Sequence, residues 1–205
     1  GMRSARLGIK SVILMPSFQF SLRGTDTCPA SVTTLSNLGE IGTTCTMSPS
    51  RTGTALLAEG LASLGGKIIP YLPHRTLEGH GLNIKAIDKL SELGVSLIVT
   101  VDNGTTSIDE ISWAASLGVD TIVTDHHLPT SILPSAVAVV NPKLPGSEYP
   151  FHYLAGVGLA FKLVQALHIY LGRYWNESLL QLAAIGTVTD VVPMIGENRY
   201  IVSAG

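Results

Sequence analysis

From Arg51 onward the chain alternates between short apolar runs and stretches with helical spacing of apolar residues. The apolar runs lack an alternating polar face, which is typical of strands covered on both sides by helices. The predicted strands are Lys67–Leu72, Val95–Val101, Val119–Thr124 and Ala136–Val140, and the predicted helices are Thr52–Leu64, Ile84–Leu93, Ile108–Leu117, Gly156–Leu171 and Ser178–Val188. The pattern predicts an α/β fold of the doubly wound kind, with a parallel sheet flanked by helices.

The first fifty residues do not share this order. Ile9–Met15 is apolar enough for one strand, whereas Gly24–Ser50 is rich in Ser, Thr and Gly and shows no period. We therefore expect an irregular segment over residues 1–50 and one folded domain over residues 51–205.

Composition and charge narrow the class of protein. Hydrophobic residues make up 45% of the chain and charged residues 14%, as in a globular protein. No apolar run approaches the ~18–20 residues needed to span a bilayer. The net charge is −2, and the 13 Lys and Arg form no basic run of the kind that marks a nucleic-acid face. With no signal peptide and only Cys28 and Cys45, we expect a cytoplasmic protein without a membrane partner.

Ionisable residues follow two consecutive predicted strands. Asp102 comes directly after Val95–Val101, and Asp125-His126-His127 comes directly after Val119–Thr124. In parallel sheets these carboxyl ends share one edge, where ligands bind. Carboxylate and imidazole suit Mn²⁺, Zn²⁺ or Fe²⁺, which support hydrolysis. Asp102 is also typical of a turn, whereas two imidazoles beside a carboxylate favour a metal or acid–base site.

Two further residues have open alternatives. Asp190 ends a predicted helix and precedes a proline, so a metal ligand and a solvated helix end are both possible. Arg75 lies in the loop Pro73–Gly81, where it either forms a weak surface pair with a nearby glutamate or binds a phosphate. His152 and His168 are expected to pack or to face solvent.

Taken in order, the motifs resemble those of the DHH phosphoesterases. They are Pro73–Leu82, Val101–Gly104, Thr124–His127, Val140–Lys143, Leu154–Gly158, Gly186–Pro193 and Glu197–Arg199, and the resemblance covers Thr52 to Gly205. The first and last of these segments resemble the RecJ-type, single-strand-specific exonuclease branch rather than the small-substrate phosphatases of the family.

The resemblance implies a metal-dependent exonuclease that degrades single-stranded DNA in the 5′-to-3′ direction with Mn²⁺ or Mg²⁺. It implies that Asp102, His126 and Asp190 are metal ligands. It also implies catalytic roles for His127, near the scissile phosphate, and for Asp125, and it suggests substrate contact by Arg75. The chemistry would be two-metal hydrolysis, in which paired cations activate water and neutralise the leaving oxygen.

The chain departs from the family at its first motif. That motif is an acid-rich strand end before a helix start, and the helix start is present here as Thr52–Leu57. Counting back from it, the three ligand positions hold Cys45, Met47 and Pro49, and none is an acid. We therefore expect impaired catalysis, with one metal held by Asp102, His126 and Asp190.

A second departure is that the chain stops before the family's second domain, which closes over the cleft and helps to hold DNA. An apolar surface left exposed there would favour self-association. One alternative is an inactive DHH scaffold used for binding or assembly. Another is a small-molecule phosphoesterase, against which the loop Pro73–Leu82 argues.

Overall fold

The computed structural model describes residues 12–16, 49–73 and 81–205, without the side chains of residues 12–16 and 49–50. The strands in these ranges are β1 (Val12–Pro16), β2 (Ile68–Pro70), β3 (Leu97–Val101), β4 (Asp120–Thr124) and β5 (Ala138–Val140). The helices there are α1 (Pro49–Ser63), α2 (Ile84–Glu92), α3 (Ile108–Ser116), α4 (Gly156–Tyr170), α5 (Ser178–Thr189) and α6 (Gly196–Ala204). None of these helices combines the length and apolar character needed to cross a membrane.

The five strands form one parallel sheet in the order β2-β1-β3-β4-β5. The chain passes from β1 to β2 on one side and then returns to place β3 on the other side of β1. The direction of winding therefore reverses between β1 and β3, and the crevice at such a point is where open α/β sheets bind ligands.

Both faces of the sheet are covered, which explains why the strands lack a polar face. Successive side chains of β3 point to opposite faces. Val99 and Val101 join a core that α1, α4, α5 and α6 complete, and Ile98 joins a second core built with α2 and α3. The predicted parallel sheet flanked by helices is confirmed.

The predicted elements from residue 51 onward are all present, and their ends differ by three residues or fewer. The expected N-terminal strand is found as β1. The prediction for Gly24–Ser50 was wrong at its end, because α1 already begins at Pro49; residues 24–48 lie outside the described ranges. The sequence did not predict α6, which buries only Asn198 and Ile201 and so carries a weak apolar pattern.

Candidate metal centre

The acids that follow β3 and β4 lie side by side at the edge of the sheet where these strands end. Val101 and Thr124 are partners in register, so Asp102 and Asp125 are each the first residue beyond a strand end. The backbone N–H of Asp102 donates to the carbonyl of Thr124 at 2.8 Å, and that of Asp125 donates to the carbonyl of Val140 at 3.1 Å. The ladder thus continues through both residues and fixes where their side chains start.

Asp102 forms a turn and also belongs to the candidate centre. Its φ of 64° lies in the left-handed region, which aspartate tolerates better than most residues. The turn is held by the side chain of Asn103, which donates to the carbonyl of Val101 at 3.0 Å, and by Thr100 Oγ1, which donates to the carbonyl of Asn103 at 2.6 Å. Asp102 is 2% exposed, so this turn carries a carboxylate into the interior of the site.

The imidazole of His126 lies between the carboxylates of Asp102 and Asp190. Its Nε2 lies 3.0 Å from Asp102 Oδ1 and 3.6 Å from Asp190 Oδ2. Asp190 directly follows α5 as its C-terminal capping residue, and its side chain is 8% exposed, so the alternative of a solvated helix end does not hold. The three side chains expected to bind metal therefore converge, from β3, β4 and α5.

Gly156, the first residue of α4, permits this convergence. Its N–H donates to Asp190 Oδ2 at 3.3 Å. A Cβ at this position would lie 2.4 Å from Asp102 Oδ1 and 2.6 Å from Asp102 Cβ. Only glycine lets the start of α4 approach Asp102 so closely, which gives Gly156 a specific role within the motif Leu154–Gly158.

The electrostatics of this cluster favour a bound cation. Burial raises the pKa of Asp190 to about 6, and the neighbouring charge of Asp102 adds to the effect while His126 opposes it. Burial lowers the pKa of His126, but Asp102 and Asp190 outweigh it and the pKa is raised above 6.5. Two buried acids thus share one imidazole, and a divalent cation would relieve their mutual repulsion.

Asp125 and His127 form a second pair beside the cluster. His127 Nδ1 lies 2.6 Å from Asp125 Oδ1, which also accepts the backbone N–H groups of His126 and His127 at 2.8 and 3.2 Å. The N–H of Thr105 donates to Asp125 Oδ2 at 3.0 Å. Burial raises the pKa of Asp125, but these hydrogen bonds from His127 and Thr105 outweigh it and hold the pKa at about 2.

The interaction that lowers the pKa of Asp125 has the opposite effect on the pKa of His127. The hydrogen bond to Asp125 raises the pKa of His127, and burial opposes that rise. Asp125 therefore stays ionised and orients the ring through Nδ1. A carboxylate behind an imidazole is the usual way in which proteins fix the orientation of a metal-binding or acid–base histidine.

Sequence reasoning gave no role to Asn141, the first residue after β5. Its Nδ2 donates to Thr105 Oγ1 at 3.0 Å and to the carbonyl of His127 at 2.8 Å, and its Oδ1 accepts the N–H of Lys143 at 2.9 Å. It is 5% exposed and ties together the loops after β3, β4 and β5. A signal was available, because a polar residue directly after a strand also marked Asp102 and Asp125.

The available donors suit a transition metal. Asp102, His126 and His127 each offer one ligand atom, and these atoms lie within 4.8 Å of one another. The rings of His126 and His127 meet edge to face with centroids 4.8 Å apart. Mixed carboxylate and imidazole ligands fit Mn²⁺, and the position of Asp190 beside His126 adds a further carboxylate.

No acid lies within β1, the strand beside β3. Pro16, at the end of β1, is level with Val101, and the sequence of Val12–Pro16 contains no ionisable residue. Pro49 is the first residue of α1. Cys45, Met47 and Arg75 lie outside the described ranges.

Residues 50–187 match the profile of the DHH family, N-terminal domain. The chain belongs to the DHH family. This DHH domain is 47% identical over 154 residues to the single-stranded-DNA-specific exonuclease RecJ of Bacillus subtilis (strain 168), a match that covers 75% of the chain and 19% of the relative. It is 43% identical over 166 residues to the protein of the same name from Escherichia coli (strain K12), covering 75% of the chain and 29% of the relative.

A solved structure agrees with these relatives. The crystal structure of exonuclease RecJ bound to manganese superposes on this DHH domain with a TM-score of 0.74 and 32% identity, covering 95% of the chain and 42% of that protein. The resemblance to RecJ-type members of the family is therefore confirmed. The chain spans 19% and 29% of the length of the two curated relatives.

Proposed function

We propose that this chain is the metal-binding catalytic domain of a RecJ-type exonuclease, which hydrolyses single-stranded DNA from the 5′ end with Mn²⁺ or Mg²⁺. The observation that carries the proposal is the convergence of His126 on Asp102 and Asp190 at the reversal point of the sheet. The relatives named as single-stranded-DNA-specific exonucleases support the choice of substrate.

In this proposal Asp102, His126 and Asp190 hold the cation. A bound divalent cation would polarise a phosphate oxygen and lower the pKa of a coordinated water. His127 lies beside the cluster, and its hydrogen bond to Asp125 raises its pKa, which favours a role as proton donor to a phosphate or leaving oxygen. Asp125, held ionised by Thr105 and His127, keeps that ring in place.

We further propose that hydrolysis by this chain is slow. The strand β1 adjoins β3 at the site but brings no carboxylate within its own span, so the negative charge available to hold two dications is reduced. Loss of a residue that merely supports a ligand typically costs ~10–100-fold in metal affinity or activity, and loss of direct ligands should cost more. One cation per chain is the expected stoichiometry.

The wider parts of the proposal rest on the resemblance alone. Residues 51–205 are proposed to be the DHH phosphoesterase domain and Arg75 to contact a substrate phosphate. Because the chain covers 19–29% of the two curated relatives, a firm grip on DNA is proposed to require other parts of their length.

The first experiment counts bound metal. Titration with Mn²⁺, followed by the electron paramagnetic resonance signal of the free ion, should show one cation per chain. His126→Ala should abolish that binding. His152→Ala is the matched control, because this exposed imidazole contacts the carbonyl of Pro142 rather than a carboxylate.

The same proteins are then tested on a 5′-labelled oligodeoxynucleotide with Mn²⁺. The expected result is slow release of mononucleotides by the unmodified chain and none by His126→Ala. Two cations per chain, or hydrolysis as fast as that of an intact relative, would overturn the impairment. Absence of any Mn²⁺ binding would overturn the proposed metal centre itself.

A further inference from the structure

Asn198 lies in the first half of α6 and is fully buried, at 0% exposure. Its Nδ2 donates to the carbonyl of Tyr153 at 2.6 Å and to the carbonyl of Pro193 at 3.0 Å. Its Oδ1 has no hydrogen-bond partner in the part of the chain that the structure describes. The side chain therefore acts through its two N–H donors.

The two carbonyls that Asn198 binds belong to segments that also meet at the metal centre. Tyr153 precedes Gly156, whose N–H donates to Asp190 Oδ2 at 3.3 Å, and Pro193 follows Asp190 on the other segment. The two segments are thus joined at two places: by Asp190 and Gly156 at the site, and by Asn198 behind it.

The segment after Asp190 needs such support. Val191 has a φ of 57°, in the left-handed region, where a β-branched residue is strained by roughly 1–2 kcal/mol. The residue is 80% exposed, so packing of its side chain does not hold the conformation in place. Strained residues persist only where the surrounding structure fixes them, and the bond from Asn198 to Pro193 fixes the chain just beyond the turn.

We propose that Asn198 is a positioning residue for Asp190, which it fixes in the metal centre by clamping the carbonyls of Tyr153 and Pro193 behind the contact between Asp190 and Gly156. The inference rests on the proposed metal-binding function. A purely structural role, in which Asn198 only satisfies these two carbonyls, would lower the stability of a variant without changing its Mn²⁺ affinity.

The test uses Asn198→Leu, which keeps the branching at Cγ but has no donors and no charge. We expect its Mn²⁺ affinity to fall 10–100-fold, in the range seen when supporting residues of metal ligands are lost. Binding is measured well below the unfolding temperature of every variant, so that loss of stability alone does not change the result.

The matched control is Asn176→Ala. Asn176 accepts the N–H of Ser178 at 3.0 Å and lies beyond the opposite end of α5 from Asp190, a helix about 18 Å long by its rise. This change should leave Mn²⁺ affinity unaltered even where it lowers the unfolding temperature. Equal affinity in Asn198→Leu and the unmodified chain would overturn the inference.

A second readout separates this inference from the proposed function. Hydrogen exchange at the amide of Gly156 reports its bond to Asp190 without any metal. Faster exchange in Asn198→Leu, with no change in Asn176→Ala, would support the positioning role, and unchanged exchange would overturn it. If the unmodified chain binds no Mn²⁺, the metal centre fails and this exchange rate still decides the role of Asn198.

Discussion

At the scale of single residues, the candidate centre depends on crowding that only particular side chains allow. The side chains of Asp102 and Asp190 are both nearly buried and both contact His126, so two negative charges lie close together and favour a positive charge between them. Gly156 makes room for Asp102 by having no side chain. The geometry of the candidate centre therefore depends on a residue that contributes only a backbone N–H.

Gly156→Ala tests this dependence. The added Cβ would overlap Asp102 and displace it, so we expect Mn²⁺ affinity to fall at least tenfold and stability to fall by about 1–3 kcal/mol from overpacking. Gly158→Ala, in the same helix, meets the side chains of Leu154 at 2.5 Å and Ile201 at 3.7 Å rather than Asp102, and is the matched control. Equal Mn²⁺ affinity in the two variants, measured by titration, would show that the close approach of α4 is not needed for the site.

At the scale of secondary-structure elements, the site is a junction of the loops that follow three neighbouring strands. Thr105 from the loop after β3 donates to Asp125, Asp125 holds His127, and Asn141 after β5 binds both Thr105 and His127. Strands in register deliver these loops to one edge, and the hydrogen bonds then fix them relative to each other.

Asp125→Asn should weaken this junction in a way that depends on pH. The native pKa of about 2 lies below the ordinary 3.8, so the ionised carboxylate contributes stability above pH 3.8 that is lost as pH falls towards 2. His127, with a raised pKa, contributes below pH 6.5 and loses its contribution as pH rises through that raised value. The deficit of the variant should therefore be greatest between these limits, at about 2 kcal/mol.

Urea unfolding at about pH 5.5 and at about pH 3 checks this expectation, and the deficit should narrow by about 1 kcal/mol at the lower pH. Asp120→Asn, an exposed acid at the other end of β4, should change stability by less than about 0.5 kcal/mol at either pH. A deficit of Asp125→Asn that does not vary with pH would mean that the ion pair with His127 contributes nothing to folding.

At the scale of the whole molecule, the net charge disfavours DNA binding by this chain alone, and exposed apolar side chains favour self-association. The net charge of −2, from 13 Lys and Arg against 15 Asp and Glu, offers little attraction to a phosphate backbone. Large apolar side chains are exposed around the end of α5, among them Val188, Val191 and Ile195. Self-association through such a surface stays a prediction, which sedimentation velocity at increasing concentration would test.

Binding of single-stranded DNA by this chain should be weak. We expect a dissociation constant above ~100 µM near physiological salt, the weak end of the non-specific range. If Arg75 contacts a phosphate, Arg75→Gln should reduce the slope of log affinity against log salt by about 0.7. Arg173→Gln, an exposed arginine just beyond the far end of α4, is the control. Fluorescence anisotropy measures both; micromolar binding by the unmodified chain would contradict the expectation.

By itself the sequence determined the α/β class and the positions of Asp102, Asp125, His126 and His127. Apolar periodicity records which residues are buried, and in a parallel sheet the residue after a strand must reach the ligand-binding edge. Asp190 was found as a candidate, but the pattern alone left open whether it faced solvent.

Only the tertiary structure decided the contacts between segments that are distant in sequence. It placed Asp190 beside His126, put β1 between β2 and β3, and gave Asn141 and Asn198 their partners. The physical reason is that periodicity identifies a buried face but not the element that covers it. A polar side chain such as Asn198 has no periodic signature, and its role is defined by carbonyls that packing brings within its reach.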